Sequence, residues 1–103
     1  MSIRVAIVDD HALIRVSLSH LLADVPGLDI LWQADSGEEA LQLVRDSPPD
    51  VMLLDLDMPG MGGHEAALRL LKMASTVKIV MLSVTDDGPW PARLLQAGVT
   101  GYI

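Results

Sequence analysis

Three short, largely apolar runs in this sequence each end in acidic or hydroxyl residues. Continuous apolar runs of this length are typical of parallel strands, which are covered on both faces and lose the alternating pattern. Because open α/β sheets bind their ligands at the carboxyl ends of the strands, we expect the polar residues to meet at one edge. The runs and the residues that follow them are 5–8 with Asp9 and Asp10, 51–54 with Asp55, and 78–82 with Ser83.

Three carboxylates meeting at one edge would repel one another. At about 4 Å and an effective dielectric constant of roughly 20, each close pair costs about 4 kcal/mol. Asp9, Asp10 and Asp55 therefore predict a bound cation or a shared proton. Mg²⁺ suits the set, because it is a hard ion that prefers oxygen ligands and keeps several waters. A purely structural role is open for Asp10, since Asp is a good N-cap residue, but that role explains one aspartate and not two.

The remaining candidate residues carry weaker signals. The backbone carbonyl of Asp57 could complete a metal shell, and the Ser83 hydroxyl could donate to a phosphoryl oxygen. The three histidines, His11, His20 and His64, show no spacing typical of a zinc site, so we expect none. Trp32 and Trp90 have no role that the sequence assigns.

Strand and helix patterns alternate along the chain, which predicts one α/β domain with helices on the faces of a parallel sheet. Ser36 and Glu39 form a capping box at the start of the second helix. Glycines at 60, 62 and 63 predict a loop before the third helix. The predicted strands cover residues 3–8, 29–34, 51–55 and 77–82, with a last strand from residue 99, and the predicted helices cover about 11–24, 37–46, 64–73 and 91–98.

Composition narrows the class of protein. A chain of 103 residues that is 50% hydrophobic suffices for one domain with a real core. It has no cysteine, which excludes disulfides and thiolate sites, and a reducing, cytoplasmic location is expected. No apolar run approaches the ~20 residues that span a bilayer. The net charge of −7 without a basic cluster argues against nucleic-acid binding by this chain.

These motifs together resemble the receiver domains of bacterial two-component response regulators, along the whole chain. The sequence around Asp9, Asp10 and His11 is similar to the opening of the NarL/FixJ group. Residues 55–63, Ser83 and residues 97–102 resemble the phosphorylation loop, the switch hydroxyl and the start of the last strand of that family. Residues 93–98, after a Pro-aromatic-Pro segment, resemble the GacA/UvrY type.

The resemblance implies a CheY-like (flavodoxin-like), doubly wound parallel sheet of five strands in the order 2-1-3-4-5. It also implies that Asp55 accepts a phosphoryl group from a histidine kinase or phosphotransfer protein, so that the chain is a phosphoacceptor rather than an enzyme. Ser83 and Tyr102 would move on phosphorylation and reshape the face formed by helix 4 and strand 5. The implied Mg²⁺ ligands are Asp9, Asp10, Asp55 and the backbone carbonyl of Asp57.

Residues 1–103 are thus expected to be a receiver domain cut short before its last helix, a phosphate-binding lysine and a DNA-binding output domain. The apolar sheet surface left by that helix predicts self-association, with exchange of terminal elements between chains as one route. Two other functions are open. One is a pseudo-receiver that only binds partners; the other is a phosphatase of the haloacid dehalogenase type, whose D-x-D motif Asp55 and Asp57 superficially resemble.

Overall fold

A computed structural model describes residues 2–55, 60, 62–73, 76–82 and 101–102 of the chain. Within these residues, strands and helices alternate as the apolar runs predict. None of the helices in this part of the chain has the length and apolar character needed to cross a bilayer. The elements are β1 (Ile3–Val8), α1 (Ala12–Ala23), β2 (Leu28–Ala34), α2 (Gly37–Asp46), β3 (Val51–Asp55), α3 (Gly62–Met73), β4 (Lys78–Leu82) and β5 (Gly101–Tyr102).

The strands form one parallel sheet in the order β2-β1-β3-β4-β5, which confirms the predicted CheY-like topology. The chain moves from β1 outward to β2 and then returns past β1 to β3. Because crossovers between parallel strands are right-handed, this reversal places α1 on one face of the sheet and α2 and α3 on the other. The helix predicted at about 91–98 lies outside the described residues.

The main core lies between the sheet and the helices α2 and α3. Alternate residues of each strand point to this face, as the two-residue period of a strand requires. Small side chains at 40, 66 and 67 let the two helices approach the sheet and each other. The buried members of this core are Ala6, Val8, Ala34, Ala40, Val44, Met52, Leu54, Ala66, Ala67, Leu70, Val77, Ile79 and Met81.

Helix α1 packs far more loosely than its apolar sequence suggests. None of residues 12–23 is fully buried. Of three apolar residues at helical spacing, Leu18 is half-buried, whereas Ile14 is 42% exposed and Leu21 68% exposed. On the same side of the sheet, the side chains of β3 and β4 that point away from the main core are only half-buried. The helical spacing of apolar residues in α1 therefore does not correspond to a fully buried face.

The structure supplies the role that the sequence did not assign to Trp32. Its indole Nε1 donates a hydrogen bond of 2.9 Å to the backbone carbonyl of Ser47, the residue that ends α2. The ring is partly buried against the main core. The register between β1 and β2 shifts at this point, because Val5 pairs with Ile30 and the next residue, Ala6, pairs with Trp32. Trp32 therefore ties the end of α2 to the edge strand.

Two predicted boundaries differ from the structure in an informative way. The second helix has the predicted capping bond, in which the Ser36 hydroxyl accepts from the Glu39 amide at 3.1 Å. Helix α3, in contrast, begins at Gly62, two residues before the predicted start. Gly60 has a φ of +76°, which favours glycine, but Gly62 and Gly63 are helical. The density of glycines therefore predicted the turn correctly, but it placed the start of α3 two residues too late.

Asp50 connects three strands at the amino edge of the sheet. Its amide donates to the Arg4 carbonyl at 2.8 Å, and its own carbonyl accepts from the Lys78 amide at 3.0 Å. Its carboxylate accepts from the Arg4 amide at 2.8 Å and lies 3.5 Å from the Arg4 Nε. The bond from the Arg4 backbone, followed by that from its guanidinium, holds the pKa of Asp50 below its usual 3.8.

We expect Asp50→Asn to lower the melting temperature at neutral pH by a few degrees, because it removes the charge that Arg4 stabilises. A carboxylate whose pKa is lowered on folding adds stability above its unfolded pKa, and that stability is lost as the pH falls through the folded pKa. The difference between the variant and the wild type should therefore shrink as the pH falls below 3.8. Thermal unfolding followed by circular dichroism across this range measures it.

Asp24→Asn is the control, since it changes the net charge equally at an exposed position at the end of α1 and, unlike Asp29, does not lie opposite Arg4 in the sheet. A difference between Asp50→Asn and wild type that persists unchanged at acid pH would contradict the assigned role of the carboxylate.

Candidate metal centre

The carboxyl edge of the sheet brings together the first three acidic residues singled out from the sequence. Asp9 and Asp10 follow β1, Asp55 ends β3, and these strands are neighbours, with Val8 paired to Leu54. One ligand atom each of Asp9, Asp10, His11 and Asp55 lie within 4.8 Å of one another. The expected meeting of the three carboxylates at one edge therefore occurs.

Asp9 is held in place by its own backbone and side chain. The residue is 3% exposed, and its amide donates to the Ala34 carbonyl at 3.1 Å, which continues the pairing of β1 with β2. Its Oδ1 accepts a hydrogen bond of 2.8 Å from the amide of His11, two residues ahead. This local turn aims the carboxylate at the cluster and begins α1. Asp55, 7% exposed, is equally buried at the end of β3.

Asp10 does not serve as the N-cap of α1. The N-cap is His11, which makes no capping bond with its side chain, and the amide of His11 donates to the carboxylate of Asp9. Within the described part of the chain, the buried Asp10 Oδ1 has no hydrogen-bond partner. A buried acceptor without a partner is unfavourable, which indicates that this oxygen is placed for a ligand.

His11 is the site residue that sequence reasoning missed. Its Nδ1 lies 3.0 Å from Asp9 Oδ1, within hydrogen-bonding geometry, and 3.0 Å from Asp10 Oδ1, where the geometry does not make a hydrogen bond. The bond to Asp9, followed by the negative charge of Asp10, raises the pKa of His11 above its usual 6.5. The signal available in the sequence was the position of His11 directly after two aspartates. The spacing between the three histidines does not reveal it.

A second cation supports the cluster from α1. The guanidinium of Arg15 donates to the backbone carbonyl of Asp9, one turn after the helix begins. This contact orients the peptide that precedes Asp10 and fixes the first turn of α1 against the end of β1. No sequence pattern indicates this contact, because Arg15 lies among apolar residues in a helix whose exposed faces cannot be assigned from the sequence.

The residues present fit a hard divalent cation. Three carboxylates share the site, two of them are buried, and one buried oxygen lacks a hydrogen-bond partner among the described residues. An oxygen-rich donor set with an open side, where waters complete the coordination, is the environment that Mg²⁺ prefers. A bound cation would also relieve the mutual repulsion of the carboxylates.

Three other predicted site positions are not fully described. Asp57 and Ser83 lie outside the described residues. Tyr102 belongs to β5, where its backbone pairs with Met81, but its side chain lies outside the described part of the structure. At the described Gly60, an added Cβ would lie 3.1 Å from Glu38 Oε2 at the start of α2.

Residues 5–103 match the family model of the response regulator receiver domain. The chain is 50% identical to the response regulator GacA of Pseudomonas viridiflava and 41% identical to the response regulator UvrY of Escherichia coli K12, over 101 residues in each case. These alignments cover 98% of this chain but only 47% and 46% of the relatives. The chain therefore spans about half the length of the curated relatives it matches.

Solved structures give the same result for the fold. The response regulator domain of Thermotoga maritima CheB superposes with a TM-score of 0.92 at 28% identity, covering 100% of this chain and 78% of that one. The receiver domain of the NarL regulator from Mycobacterium tuberculosis superposes with a TM-score of 0.89 at 32% identity, covering 98% and 82%.

We expect Asp10→Asn to raise the melting temperature in the presence of a chelator and to abolish the further rise that Mg²⁺ produces in the wild type. The amide removes one of three repelling charges, and it also removes a charged ligand. Differential scanning calorimetry with EDTA and with saturating Mg²⁺ tests both halves. Asp29→Asn, at the opposite edge of the sheet, should keep the full Mg²⁺ response. A normal Mg²⁺ response in Asp10→Asn would count against the assignment.

Proposed function

This chain belongs to the response regulator receiver domain family, and we propose that Asp55 is its phosphoryl acceptor. The observation that carries the proposal is the clustering of Asp9, Asp10 and Asp55 at the carboxyl edge of the sheet, with ligand atoms within 4.8 Å. The same edge is where open α/β sheets bind their ligands. The similarity to GacA and UvrY regulators, which extends along nearly the whole chain, supports the same proposal.

Asp55 acts as a nucleophile in this proposal. One carboxylate oxygen attacks the phosphorus of a phosphohistidine on the partner kinase or phosphotransfer protein. The P–O bond forms as the P–N bond breaks, and the departing imidazole nitrogen keeps the electron pair and takes a proton from solvent. The strand β3 holds the carboxylate rigidly at the edge, so that positioning is supplied by the fold.

Asp9, Asp10, Asp55 and the backbone carbonyl of Asp57 would hold Mg²⁺. When bound, the ion supplies positive charge that neutralises the incoming phosphoryl oxygens. The protein residues supply the remaining positioning: Asp9 is held by its bonds to Ala34 and His11, and Asp10 offers a buried oxygen that accepts no hydrogen bond from the described residues.

Ser83 and Tyr102 complete the proposal as the switch residues, on the strength of their positions in the family pattern. A phosphoryl group adds charge and acceptor oxygens at the edge of the sheet, and the Ser83 hydroxyl would donate to one of them. Tyr102, next to Met81 of β4 through its backbone pairing, would then change its packing. Phosphorylation shifts this equilibrium only by its differential affinity for the two states.

We further propose that residues 1–103 form the receiver domain of a cytoplasmic regulator whose remaining length carries the output. The chain spans only about half of its curated relatives. With a net charge of −7, these residues would not themselves bind DNA, so control of transcription would require a separate domain. The proposed partners are a sensor histidine kinase or a phosphotransfer protein.

Incubation with Mg²⁺ and acetyl phosphate tests the assignment of Asp55. We expect intact-protein mass spectrometry to show one added phosphoryl group in the wild type and none in Asp55→Asn, because the amide is not a nucleophile. Beryllofluoride, which binds the same carboxylate without covalent chemistry, should stabilise the wild type against thermal unfolding and leave Asp55→Asn unchanged.

Asp29→Asn is the control for the loss of one negative charge, and it should be phosphorylated like the wild type. No response to either reagent by a folded, Mg²⁺-binding wild type would favour a pseudo-receiver. Steady release of phosphate from small phosphate esters would favour a phosphatase.

We also propose that this chain associates with itself through α1. Leu13 and Leu21 are 77% and 68% exposed and lie within about a quarter turn of each other on the helix. The helix carries a single Lys, Arg, Asp or Glu residue, Arg15, in a chain whose net charge is −7. Two copies can therefore bring their α1 helices together with little repulsion, and doing so buries apolar surface.

The double variant Leu13→Glu/Leu21→Glu should shift the chain toward the monomer, since it places two charges on the exposed face without removing a buried side chain. Size-exclusion chromatography with light scattering over a range of concentrations measures the change. Leu68→Glu, at a 42% exposed position on α3, is the control and should associate like the wild type. A wild type that stays monomeric at high concentration would contradict this proposal.

A further inference from the structure

We propose that His11 is an additional ligand at the cation site, so that the site selects imidazole-preferring ions such as Co²⁺ and Zn²⁺ over Mg²⁺. The inference rests on the proposed function, because it concerns the same site. It goes further in naming a nitrogen donor and a class of cation that the carboxylates alone do not favour.

The distances between the donor atoms match those around one ion. Ligands at about 2.1 Å from an octahedral ion lie about 3.0 Å apart when they occupy neighbouring positions. The Nδ1 atom of His11 lies 3.0 Å from Asp9 Oδ1 and also 3.0 Å from Asp10 Oδ1. The ring nitrogen is therefore already spaced from both carboxylate oxygens as one ligand is from its neighbours, and one ligand atom of each of these residues lies within 4.8 Å of the others.

A hydrogen bond accounts for only one of these two distances. The bond from the ring to Asp9 explains the first, but Asp10 Oδ1 has no hydrogen bond among the described residues although the ring nitrogen is equally close. Nδ1 can carry only one proton, so it cannot bond to both oxygens at full strength. An ion shared by the ring and both carboxylates satisfies all three atoms at once.

The backbone and exposure of His11 suit a ligand that must adjust to an ion. Its amide is fixed by the 2.8 Å bond to Asp9, which anchors the residue at the edge of the site. Its side chain is 61% exposed, so the ring can turn by the small amount that coordination requires. The exposed side also leaves room for the waters that complete an octahedron.

The chemistry of the donor atoms determines which ions bind more tightly. Carboxylates and waters suit Mg²⁺, which gains little from an imidazole, whereas affinity for nitrogen donors rises from Mn²⁺ through Co²⁺ to Ni²⁺ and Cu²⁺. A site with His11 among its ligands should therefore bind Co²⁺ more tightly than Mg²⁺, and part of that difference should depend on the imidazole.

Titration of the metal-free protein with Co²⁺ and with Mg²⁺, by calorimetry, tests the proposal in the wild type and in His11→Gln. We expect His11→Gln to weaken Co²⁺ binding by about tenfold or more and to change Mg²⁺ binding little. The visible absorption spectrum of bound Co²⁺ should change as well, because a nitrogen ligand is lost. His20→Gln, an exposed histidine on α1, is the matched control and should leave both ions unaffected.

A measurement on the wild type alone guards against a folding defect in the variant. In proton NMR, Co²⁺ should give the imidazole protons of His11 contact shifts, which pass through a metal–nitrogen bond and exceed the through-space shifts of a nearby unbound ring, and it should shift those of His20 far less. Equal Co²⁺ affinity and spectrum in wild type and His11→Gln, or Co²⁺-induced shifts of His11 no larger than those of His20, would overturn the proposal.

These outcomes are distinguishable from a failure of the proposed function. If Mg²⁺ binds and Asp55 is phosphorylated while His11 makes no difference to Co²⁺, only the assignment of His11 is wrong. If neither ion binds and Asp55 is not phosphorylated, the cation site and the proposed function fail together.

Discussion

The repulsion among carboxylates at the carboxyl edge of the sheet is the interaction on which the rest of the site depends. Parallel pairing of β1 with β3 forces Asp9, Asp10 and Asp55 into one small volume, with two of them buried. A pair of like charges at such a distance costs about 4 kcal/mol at an effective dielectric constant near 20. The apolar core that orders the strands therefore also concentrates negative charge, and it creates the demand for a cation.

The chain meets part of that demand with its own residues. His11 lies between two of the carboxylates, and they raise its pKa, while Arg15 binds the backbone that joins them. His11 is the N-cap of α1 and Arg15 lies in its first turns, and this helix has no fully buried side chain among residues 12–23. Apolar packing holds α1 only loosely, so these polar contacts to the site contribute to holding the helix in place. A change of charge at the site therefore acts directly on α1.

Whether a feature of this fold and site could be predicted depends on whether local sequence or position in three dimensions determines it. Hydrophobic patterning depends on local sequence, so the strands and the meeting of three aspartates could be inferred before the structure, whereas the order of the strands was implied only by the resemblance to receiver domains. The positions of His11 and Arg15, the indole bond of Trp32 to Ser47 and the exposure of Leu21 could not, because each depends on where a side chain points in space. The alternative role of Asp10 as an N-cap stayed open for a related reason: Asp9 and Asp10 are equivalent in sequence, and only the turn that Asp9 makes with His11 separates them.

Aspartates at the two edges of the sheet have opposite effects on the stability of the folded chain. At the amino edge, Asp50 is paired with Arg4 and joins three strands, so its charge stabilises the folded chain and its pKa is lowered. At the carboxyl edge, the aspartates face one another, and their mutual repulsion opposes folding. A protein selected only for stability would gain by replacing one of them. Keeping all three makes sense if the repulsion is useful, because a site that is unfavourable when empty discriminates most strongly between its bound and unbound states.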